Sequence, residues 1–273
     1  MEKAKSQLSY YEVYNDQYQK NQGEVIVEAP VSLTVNGETW FNFMCTPVDL
    51  DTMAIGFLYN EGLIDTFNEV ASVRVCPGNE NVDVWLTHSV KKPEYWNRTS
   101  GCTGGIISVN IENEGEKPIY KPNEECFLCP QDVHYLIRKL FESQILYKSG
   151  GGVHTSALSD GEKILYNAED IGRHNTLDKL AGKRLLSKKS TTTPVCITTG
   201  RISSDMIQKA IRMNSVIVIS RTSPSSLSVK LAEQSGITLI GYARRDRFNI
   251  YTHNERILVG TPCLDYRVYE ISK

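Results

Sequence analysis

A cysteine among small residues is the first feature of the sequence that could do chemistry. Residues 98–106 read RTSGCTGGI, so Cys102 follows Gly101 directly and Arg98 lies four residues earlier. Small neighbours leave a sulfur accessible, and turn N–H groups with a nearby guanidinium lower the pKa of a thiol below its reference of about 8.5. The segment therefore suits a nucleophilic thiolate. An equally weighted interpretation is a tight turn in which Cys102 only fills space.

A second candidate is the pair Cys126-Phe127-Leu128-Cys129, which has the spacing of a redox dithiol or of half a zinc site. The sequence holds no second Cys-x-x-Cys and no His-x-x-x-His to complete a zinc site. Pro130 opens a helix, whose dipole could activate one thiol. We expect a structural role, with Phe127 and Leu128 packed beneath the domain. The other cysteines are isolated and are expected to be core or near-core thiols: Cys45, Cys76, Cys196 and Cys263.

Four loops that follow predicted strands carry residues suited to anions. Helix N-termini present N–H groups to anions, and ligands of open α/β sheets bind where strands end. Any one loop could be only a helix cap with arginines on a solvated face. Because four such loops converge by topology on one sheet edge, we predict a site for a phosphate-bearing ligand. The loops are EDIGRHNTLDK (169–179), TTGRISSDM (198–206), SRTSPSSLS (220–228) and GYARRDRFNIYTH (241–253).

The elements that must position these loops change character once along the chain. Short β-like runs come first, at 25–27, 31–35, 40–44 and 82–86, with one amphipathic helix predicted over 47–62. Residues 111–125 are charged and contain two prolines, which is typical of a linker. Helices and strands then alternate, with helices predicted over 131–147, 175–187, 204–214 and 225–235.

This alternation predicts a layered α/β domain with a mostly parallel sheet. We therefore divide the chain into an N-terminal extension over 1–24, a β-rich domain over 25–125 that contains the Cys102 loop, and an α/β domain over 126–273.

The composition is that of an ordinary globular protein. The 273 residues include 40% hydrophobic and 23% charged side chains, with a formal net charge of -2. No global positive field would recruit nucleic acid or an anionic membrane. The start of the chain lacks an apolar signal segment, and the longest aliphatic run, 216–219, is too short to cross a bilayer. We expect a cytoplasmic protein with reduced cysteines.

Known nucleotide fingerprints are absent from the sequence. The GGGVH segment at 150–154 lacks the Gly-x-Gly-x-x-Gly order followed by a helix, and there is no P-loop motif. The sequence therefore argues against a dinucleotide-dependent dehydrogenase and a P-loop NTPase.

Seven segments, in order, resemble the FdhD/NarQ family of formate dehydrogenase accessory sulfur-carrier proteins. They cover nearly the whole chain after residue 25, and GRHNTLDK followed by the terminal YTH is the most specific combination. The segments are DLDTMAIGFLYNEGLI (49–64), RTSGCTGG (98–105), GGVHTSAL (151–158), EDIGRHNTLDKLAGK (169–183), GRISSDMIQKA (200–210), SPSSLSVKLAEQSGITLIGY (223–242) and NIYTH (249–253).

This resemblance implies a fold and an activity. The implied fold is a cytidine-deaminase-like three-layer α/β domain that carries an N-terminal β-rich α+β domain. The implied activity is that of a sulfurtransferase: a cysteine desulfurase hands sulfur to a loop cysteine, and the persulfide delivers it to the molybdenum bis(molybdopterin guanine dinucleotide) cofactor of formate dehydrogenase. A homodimer is also expected from the family.

The resemblance assigns residues as well. Cys102 falls on the family's active loop cysteine, but Gly105 stands where the family commonly has a second cysteine. Whether Cys126 or Cys129 takes over that thiol's role is left open. The resemblance also implies a segment that binds the guanine nucleotide part of the cofactor, and this part resembles GDP. The segment consists of Tyr242, Ala243, Arg244, Arg245, Asp246 and Arg247.

Two rival functions make different predictions. A zinc deaminase needs a His-x-Glu and a Pro-Cys-x-x-Cys at successive helix starts, and the helix starts here carry neither, so we expect no catalytic zinc. A non-enzymatic chaperone would bind and insert the molybdenum cofactor without moving sulfur. His154 and His174 are interpreted as capping or hydrogen-bonding residues rather than catalytic ones. Asp178 and Lys179 are expected on an exposed helical face.

Overall fold

A computed structural model of the protein describes residues 4–93, 126–187 and 192–260, with two short strands at 97–98 and 106–107. The first part of the chain forms β1 (Lys5–Tyr14), β2 (Gln17–Ile26), β3 (Ala29–Val35), β4 (Glu38–Cys45), α1 (Leu50–Asn60), β5 (Val70–Val75), β6 (Asn81–Leu86), β7 (Asn97–Arg98) and β8 (Ile106–Ile107). The second part forms α2 (Pro130–Glu142), α3 (Leu146–Gly150), β9 (His154–Ser159), β10 (Ile164–Asp170), α4 (Arg173–Leu186), β11 (Val195–Thr198), α5 (Ser204–Arg212), β12 (Ile217–Ser220), α6 (Ser226–Gln234), β13 (Thr238–Gly241) and β14 (Asn249–Thr252).

The chain folds into two compact units, and each is built from separate segments. The first consists of Met1–Ile111, Gln144–Thr155 and Ala168–Lys188; the second consists of Glu112–Ser143, Ser156–Asn167 and Lys189–Lys273. This division differs from the predicted boundary at residue 125. The first unit also takes in α3 and α4, because α4 packs along α1.

The first unit has a four-stranded sheet in the order β4-β3-β6-β5. Alternate residues of β3, namely Val31, Leu33 and Val35, are buried, and they share one core with α1 residues such as Met53 and Leu58. This is the period-two pattern of a sheet with one covered face. The predicted strands 31–35, 40–44 and 82–86 and the helix 47–62 are confirmed. The prediction missed β5, none of whose residues is fully buried.

Helices α1 and α4 cross at two glycines. A Cβ atom on Gly56 would overlap the backbone carbonyl of Asp178, and one on Gly182 would overlap the carbonyl of Thr52. The two backbones therefore touch at positions where only glycine fits.

We expect Gly182→Ala to lower the free energy of unfolding by about 1–3 kcal/mol, because the added methyl forces the two helices apart. Urea denaturation followed by tryptophan fluorescence, which includes the signal of Trp40 in the same core, measures the loss. Gly78→Ala is the control, since a Cβ there meets only the flexible Glu80 side chain. An unchanged midpoint for Gly182→Ala would show that the close approach is not required.

A buried ion pair fixes α4 in the first unit. The Lys179 ammonium donates to Asp170 Oδ2 at 2.7 Å, to the Thr46 carbonyl at 3.1 Å and to the Glu169 carbonyl at 3.2 Å. Both charged side chains are fully buried. The expectation that Asp178 and Lys179 lie on an exposed face is therefore wrong: the face of α4 that carries them points into the unit.

The predicted helix over 131–147 is two helices, α2 and α3. The break arises because the Glu169 carboxylate accepts the N–H groups of Ile145 and Leu146, each at 2.8 Å, and of Tyr147 at 3.1 Å. These donors would otherwise bond the preceding turn of helix. The apolar Ile145 at this break is 52% exposed.

The predicted N-terminal extension forms most of a β-hairpin. Strands β1 and β2 pair antiparallel over ten residues each, and the turn between them places Asn15 and Asp16 at φ values of 49° and 59°. Two consecutive residues with positive φ are typical of a type I′ turn, in which Asn and Asp are favoured. The Tyr10 ring lies over Gly23. Much of the hairpin surface is exposed, including Tyr14 and Tyr18.

The second unit is built around a six-stranded sheet in the order β10-β9-β11-β12-β13-β14. Strands β11, β12 and β13 are mutually parallel, whereas β9 and β14 pair antiparallel to their neighbours. The sheet is thus mixed rather than mostly parallel, because β14 returns from β13 directly and without a crossover helix. Helices α5 and α6 make the two parallel crossovers. Within the described residues, no helix is both long and apolar enough to span a membrane.

Candidate functional site

Three loops of the second unit meet at the carboxyl ends of its parallel strands. They are residues 199–203 after β11, 221–225 after β12 and 242–248 after β13. The first two lead directly into α5 and α6, so two helix N-termini begin at this edge. Helix N-termini and strand ends are where α/β folds bind anions. The geometry thus brings together three of the four loops that the sequence singled out.

A chain of hydroxyl hydrogen bonds holds the first two loops. Thr198 Oγ1 accepts from Ser156 Oγ at 2.8 Å and from the Gly200 N–H at 3.1 Å. Ser220 Oγ donates to the Gly200 carbonyl at 2.7 Å and accepts the Thr222 N–H at 3.0 Å. The hydrogen bonds of these buried hydroxyls fix the conformation of the loops, since buried polar groups are almost always hydrogen-bonded.

The serines at the start of α6 are also structural. Ser225 Oγ accepts the Ser228 N–H at 3.2 Å, which caps the helix. The buried Ser228 hydroxyl donates to the carbonyls of Ser225 and Ile202. For this loop the simpler interpretation, that its serines are caps, is correct, and the groups left for an anion are mainly the arginines.

The third loop is an exposed turn on a buried anchor. Ala243 is fully buried, and its N–H donates to the Ser220 carbonyl at 3.0 Å. The Tyr242 N–H donates to the Thr222 carbonyl at 3.0 Å, with Tyr242 in the left-handed region at a φ of 51°. The Arg244 N–H then donates to the Arg247 carbonyl at 2.9 Å, which closes the turn. The side chains that this turn exposes are those of Arg244, Arg245, Asp246 and Arg247.

Further arginines come from the neighbouring loops. Arg201 is exposed after β11, and the partly buried Arg221 follows β12 with its guanidinium 5.0 Å from the centre of the Phe141 ring. Arginine forks match phosphate oxygens in charge and geometry. The edge can therefore bind a multiply charged anion such as a diphosphate. Two further residues contact these loops, His134 and Phe141, and nothing in the sequence marks them, because both occupy ordinary positions of the helix α2.

The fourth predicted loop, 169–179, is part of the first unit. Its polar residues are buried there: Arg173 is 8% exposed and His174 3% exposed. Arg173 and His174 occupy the first turn of α4, and the Asp170 Oδ1 accepts the Gly172 N–H at 2.7 Å just before it. Asn175, in the same turn, donates from Nδ2 to the Met44 carbonyl and to Asp170 Oδ1 at 2.9 Å each, so this segment is hydrogen-bonded within the first unit. His154 is partly exposed as the first residue of β9.

The exposed turn Arg244–Arg247 is called the arginine turn below. His253 lies at the other end of the strands from this turn. Its carbonyl accepts the hydroxyl of Thr238, the first residue of β13, at 2.7 Å. One ring nitrogen lies 3.0 Å from the Glu255 carboxylate and the other 2.9 Å from the Glu233 carbonyl. Burial acts to lower the pKa of His253, but these two hydrogen bonds and the two nearby carboxylates raise it above its usual value. Because both ring nitrogens face acceptors, the imidazolium form suits this contact best. His253 thus ties β14 to α6.

Cys102 lies outside the described residues. The flanking strands β7 and β8 pair antiparallel, with Asn97 opposite Ile107 and Arg98 opposite Ile106. Cys102 is the central residue of the seven, 99–105, that connect them in sequence. Gly105 belongs to the same connection.

The Cys126–Cys129 pair is built into the second unit. Cys129 caps α2: its N–H donates to Asp132 Oδ2 at 3.0 Å, and its side chain accepts from the third residue of the helix. Cys129 is disulfide-bonded, so the expectation of reduced cysteines is wrong for this residue. Leu128 is buried as predicted, whereas Phe127 is 55% exposed and not packed beneath the domain.

Three other cysteines differ in their environments. Burial raises the pKa of both the Cys45 and the Cys196 thiols to about 12, which confirms them as inert core residues. Cys76 is not a core thiol. Desolvation raises its pKa, but N–H donors of Asn81, Glu80 and Gly78 outweigh that effect and lower it. Cys263 lies outside the described residues.

Within the described ranges, no group of three or more His, Cys, Asp or Glu side chains is placed to hold a metal ion.

Comparison with known proteins gives consistent matches. The model of the FdhD/NarQ family matches residues 26–258. The protein named sulfur carrier protein FdhD from Bacillus licheniformis is 33% identical over 245 residues, which cover 89% of this chain and 93% of that protein. Its namesake from Bacillus subtilis is 33% identical over 251 residues, covering 89% and 96%. The fold resembles the crystal structure of a formate dehydrogenase accessory protein from Desulfotalea psychrophila, with a TM-score of 0.75, 29% identity, and coverage of 93% of this chain and 100% of that one.

Proposed function

The chain belongs to the FdhD/NarQ family, and on that basis we propose that it is a sulfur carrier for a formate dehydrogenase. It accepts sulfur as a persulfide on Cys102 and transfers it to the molybdenum bis(molybdopterin guanine dinucleotide) cofactor of that enzyme. The observation that carries the binding half of this proposal is the exposed turn Arg244–Arg247 on its buried anchor, Ala243.

The sulfur step is a thiol exchange that balances without an added oxidant. The Cys102 thiolate attacks the terminal sulfur of a persulfide on a cysteine desulfurase. The sulfur–sulfur bond of the donor breaks, its cysteine leaves as a thiolate, and the sulfur now forms a persulfide on Cys102. The small residues around Cys102 favour this chemistry, because the sulfur must reach two different partners in turn.

The acceptor cofactor binds at the edge of the second unit that carries the arginines of the three loops, which we call the arginine edge. The cofactor is the substrate here, and its guanine dinucleotide parts carry diphosphates. A diphosphate fits a site with guanidinium groups on three adjacent loops and two helix N-termini at the same edge. The residues that would bind it are Arg201, Arg221, Arg244, Arg245 and Arg247.

We further propose the assembly and the fold type that the family implies. The partners are a cysteine desulfurase as donor, a formate dehydrogenase as client and a second copy of the chain. The exposed tyrosines of the β1–β2 hairpin offer surface for such contacts. The second unit would be cytidine-deaminase-like, in keeping with its parallel strands β11, β12 and β13 joined by α5 and α6.

A cofactor chaperone without sulfur transfer is the second candidate. It is favoured by Gly105, which removes the second thiol that the family loop commonly carries. Under this alternative the arginine edge has the same role, and Cys102 has none.

Mass spectrometry of the intact protein separates the two functions. After incubation with a cysteine desulfurase and cysteine, the wild type should gain the mass of one sulfur, and a reductant should remove it. Cys102→Ser should gain none, because it lacks the accepting thiol. Cys76→Ser, which removes the described thiol with a lowered pKa, should load as the wild type does. Sulfur on Cys102→Ser would assign the relay to another cysteine, and no sulfur on any variant would favour the chaperone.

A further inference from the structure

Two side chains on one face of α2 reach the loops that carry the arginines. His134 and Phe141 are seven residues apart, which places them on the same face of the helix. Both are partly exposed, unlike the α2 residues that enter the core of the second unit, such as Leu136 and Leu140. We call this pair the α2 brace.

His134 holds the turn that begins at Arg244. Its Nδ1 lies 2.9 Å from the Arg244 carbonyl oxygen. A carbonyl can only accept, so Nδ1 carries the hydrogen in this contact. The imidazole ring also packs edge-on against Phe248 at 5.5 Å between ring centres. His134 therefore touches both ends of the exposed turn, 244–248, whose own backbone bond joins Arg244 to Arg247.

Phe141 holds the neighbouring arginine. The Arg221 guanidinium stands 5.0 Å from the centre of the Phe141 ring, within the range of a cation–π interaction. From that position its Nη1 reaches the Ala243 carbonyl at 3.5 Å, a long hydrogen bond. Arg221 thus lies between α2 and the anchor of the arginine turn.

We infer that His134 and Phe141 are positioning residues that hold Arg221 and the Arg244–Arg247 turn in the conformation that binds a diphosphate. The inference rests on the proposed binding function of that edge. Exposed arginines on a loop lose side-chain and backbone freedom when they clamp a phosphate, and a turn that is already fixed loses less. Without the brace, the same guanidinium groups remain present but bind more weakly.

Guanosine diphosphate binding to the full-length chain, measured by isothermal titration calorimetry, tests the inference. His134→Phe keeps a ring against Phe248 but removes the donor to Arg244, and it should weaken binding by about threefold to tenfold. His134→Asn should restore most of the affinity, because its amide N–H can occupy the place of Nδ1–H. Phe141→Leu should also weaken binding, through loss of the cation–π contact. Arg138→Ala, on the same helix, is the control, since its exposed side chain pairs with Glu142 and lies over the Tyr135 ring of the same helix.

The outcomes separate this inference from the proposed function. If the wild type binds the nucleotide, Arg245→Ala weakens it, and His134→Phe binds as tightly as the wild type at an unchanged melting temperature, the brace is overturned and the site stands. If Arg138→Ala weakens binding as much as His134→Phe does, the effect is general to α2 and the positioning role is also overturned. If the wild type does not bind guanosine diphosphate, the proposed site fails, and the inference fails with it.

Discussion

Cells that carry Cys102→Ser in place of the wild-type protein should produce formate dehydrogenase without activity, because serine cannot hold a persulfide. The same variant should bind guanosine diphosphate as the wild type does, since the arginine edge belongs to the second unit and is built from residues far along the chain. The expected loss is the full activity of the client rather than a fraction of it.

Formate oxidation in extracts of a strain lacking the chromosomal copy measures this effect. Cys76→Ser and Cys196→Ser are matched controls, because they remove a turn thiol and a buried thiol and should leave client activity near the wild-type level. Normal formate dehydrogenase activity with Cys102→Ser would rule out the sulfur relay on this cysteine and support the chaperone.

Lys179→Met should lower the free energy of unfolding by about 3–5 kcal/mol. Methionine has nearly the length of lysine but no charge, so it leaves the carboxylate of Asp170 buried without its cation. It also removes the donor to the carbonyls of Thr46 and Glu169. Removing one partner of a buried ion pair lowers the free energy of unfolding by far more than the intact pair adds to it, because the remaining charge is not solvated.

Urea denaturation monitored by tryptophan fluorescence, to which Trp40 in the same core contributes, gives this free energy. Lys183→Met is the control on the same helix: Lys183 pairs with Asp49 at 2.7 Å, but both side chains are partly exposed, so the loss should stay below about 1 kcal/mol. Equal losses for the two variants would mean that the burial of the Asp170–Lys179 pair has no special energetic role.

The spacing of apolar residues and the positions of turn residues correctly predicted the strands at 31–35, 40–44 and 82–86 and the helix α1. The alternation in β3 and the helical spacing of α1 are local signals, and local signals survive in the structure. The arginine turn was also predictable, since arginines after a strand of a parallel sheet must lie at its carboxyl edge. The role of Ser225 as the N-cap of α6 was also predictable, because serine is a typical capping residue at a helix start.

What the sequence could not reveal depends on contacts between distant residues. The helix predicted over 131–147 breaks because Glu169, more than twenty residues later, takes its backbone donors. Lys179 looks like a solvated residue until Asp170 and Thr46 are placed around it. Nothing in the sequence links His134 to the site, because its contact is with Arg244, 110 residues away.

The way the first unit is assembled from three chain segments has a consequence for its biosynthesis. Helix α4, which supplies Lys179 and Gly182 to this unit, ends at Leu186. A ribosome must therefore translate about two-thirds of the message before α1 can meet its partner, and until then the apolar face of α1 has no partner in α4. By that point all of α2, β9 and β10 have also been translated, because they precede α4 in the chain. The two units are thus completed late and close together in time, and the apolar face of α1 stays uncovered by α4 for more than half of the synthesis of the chain.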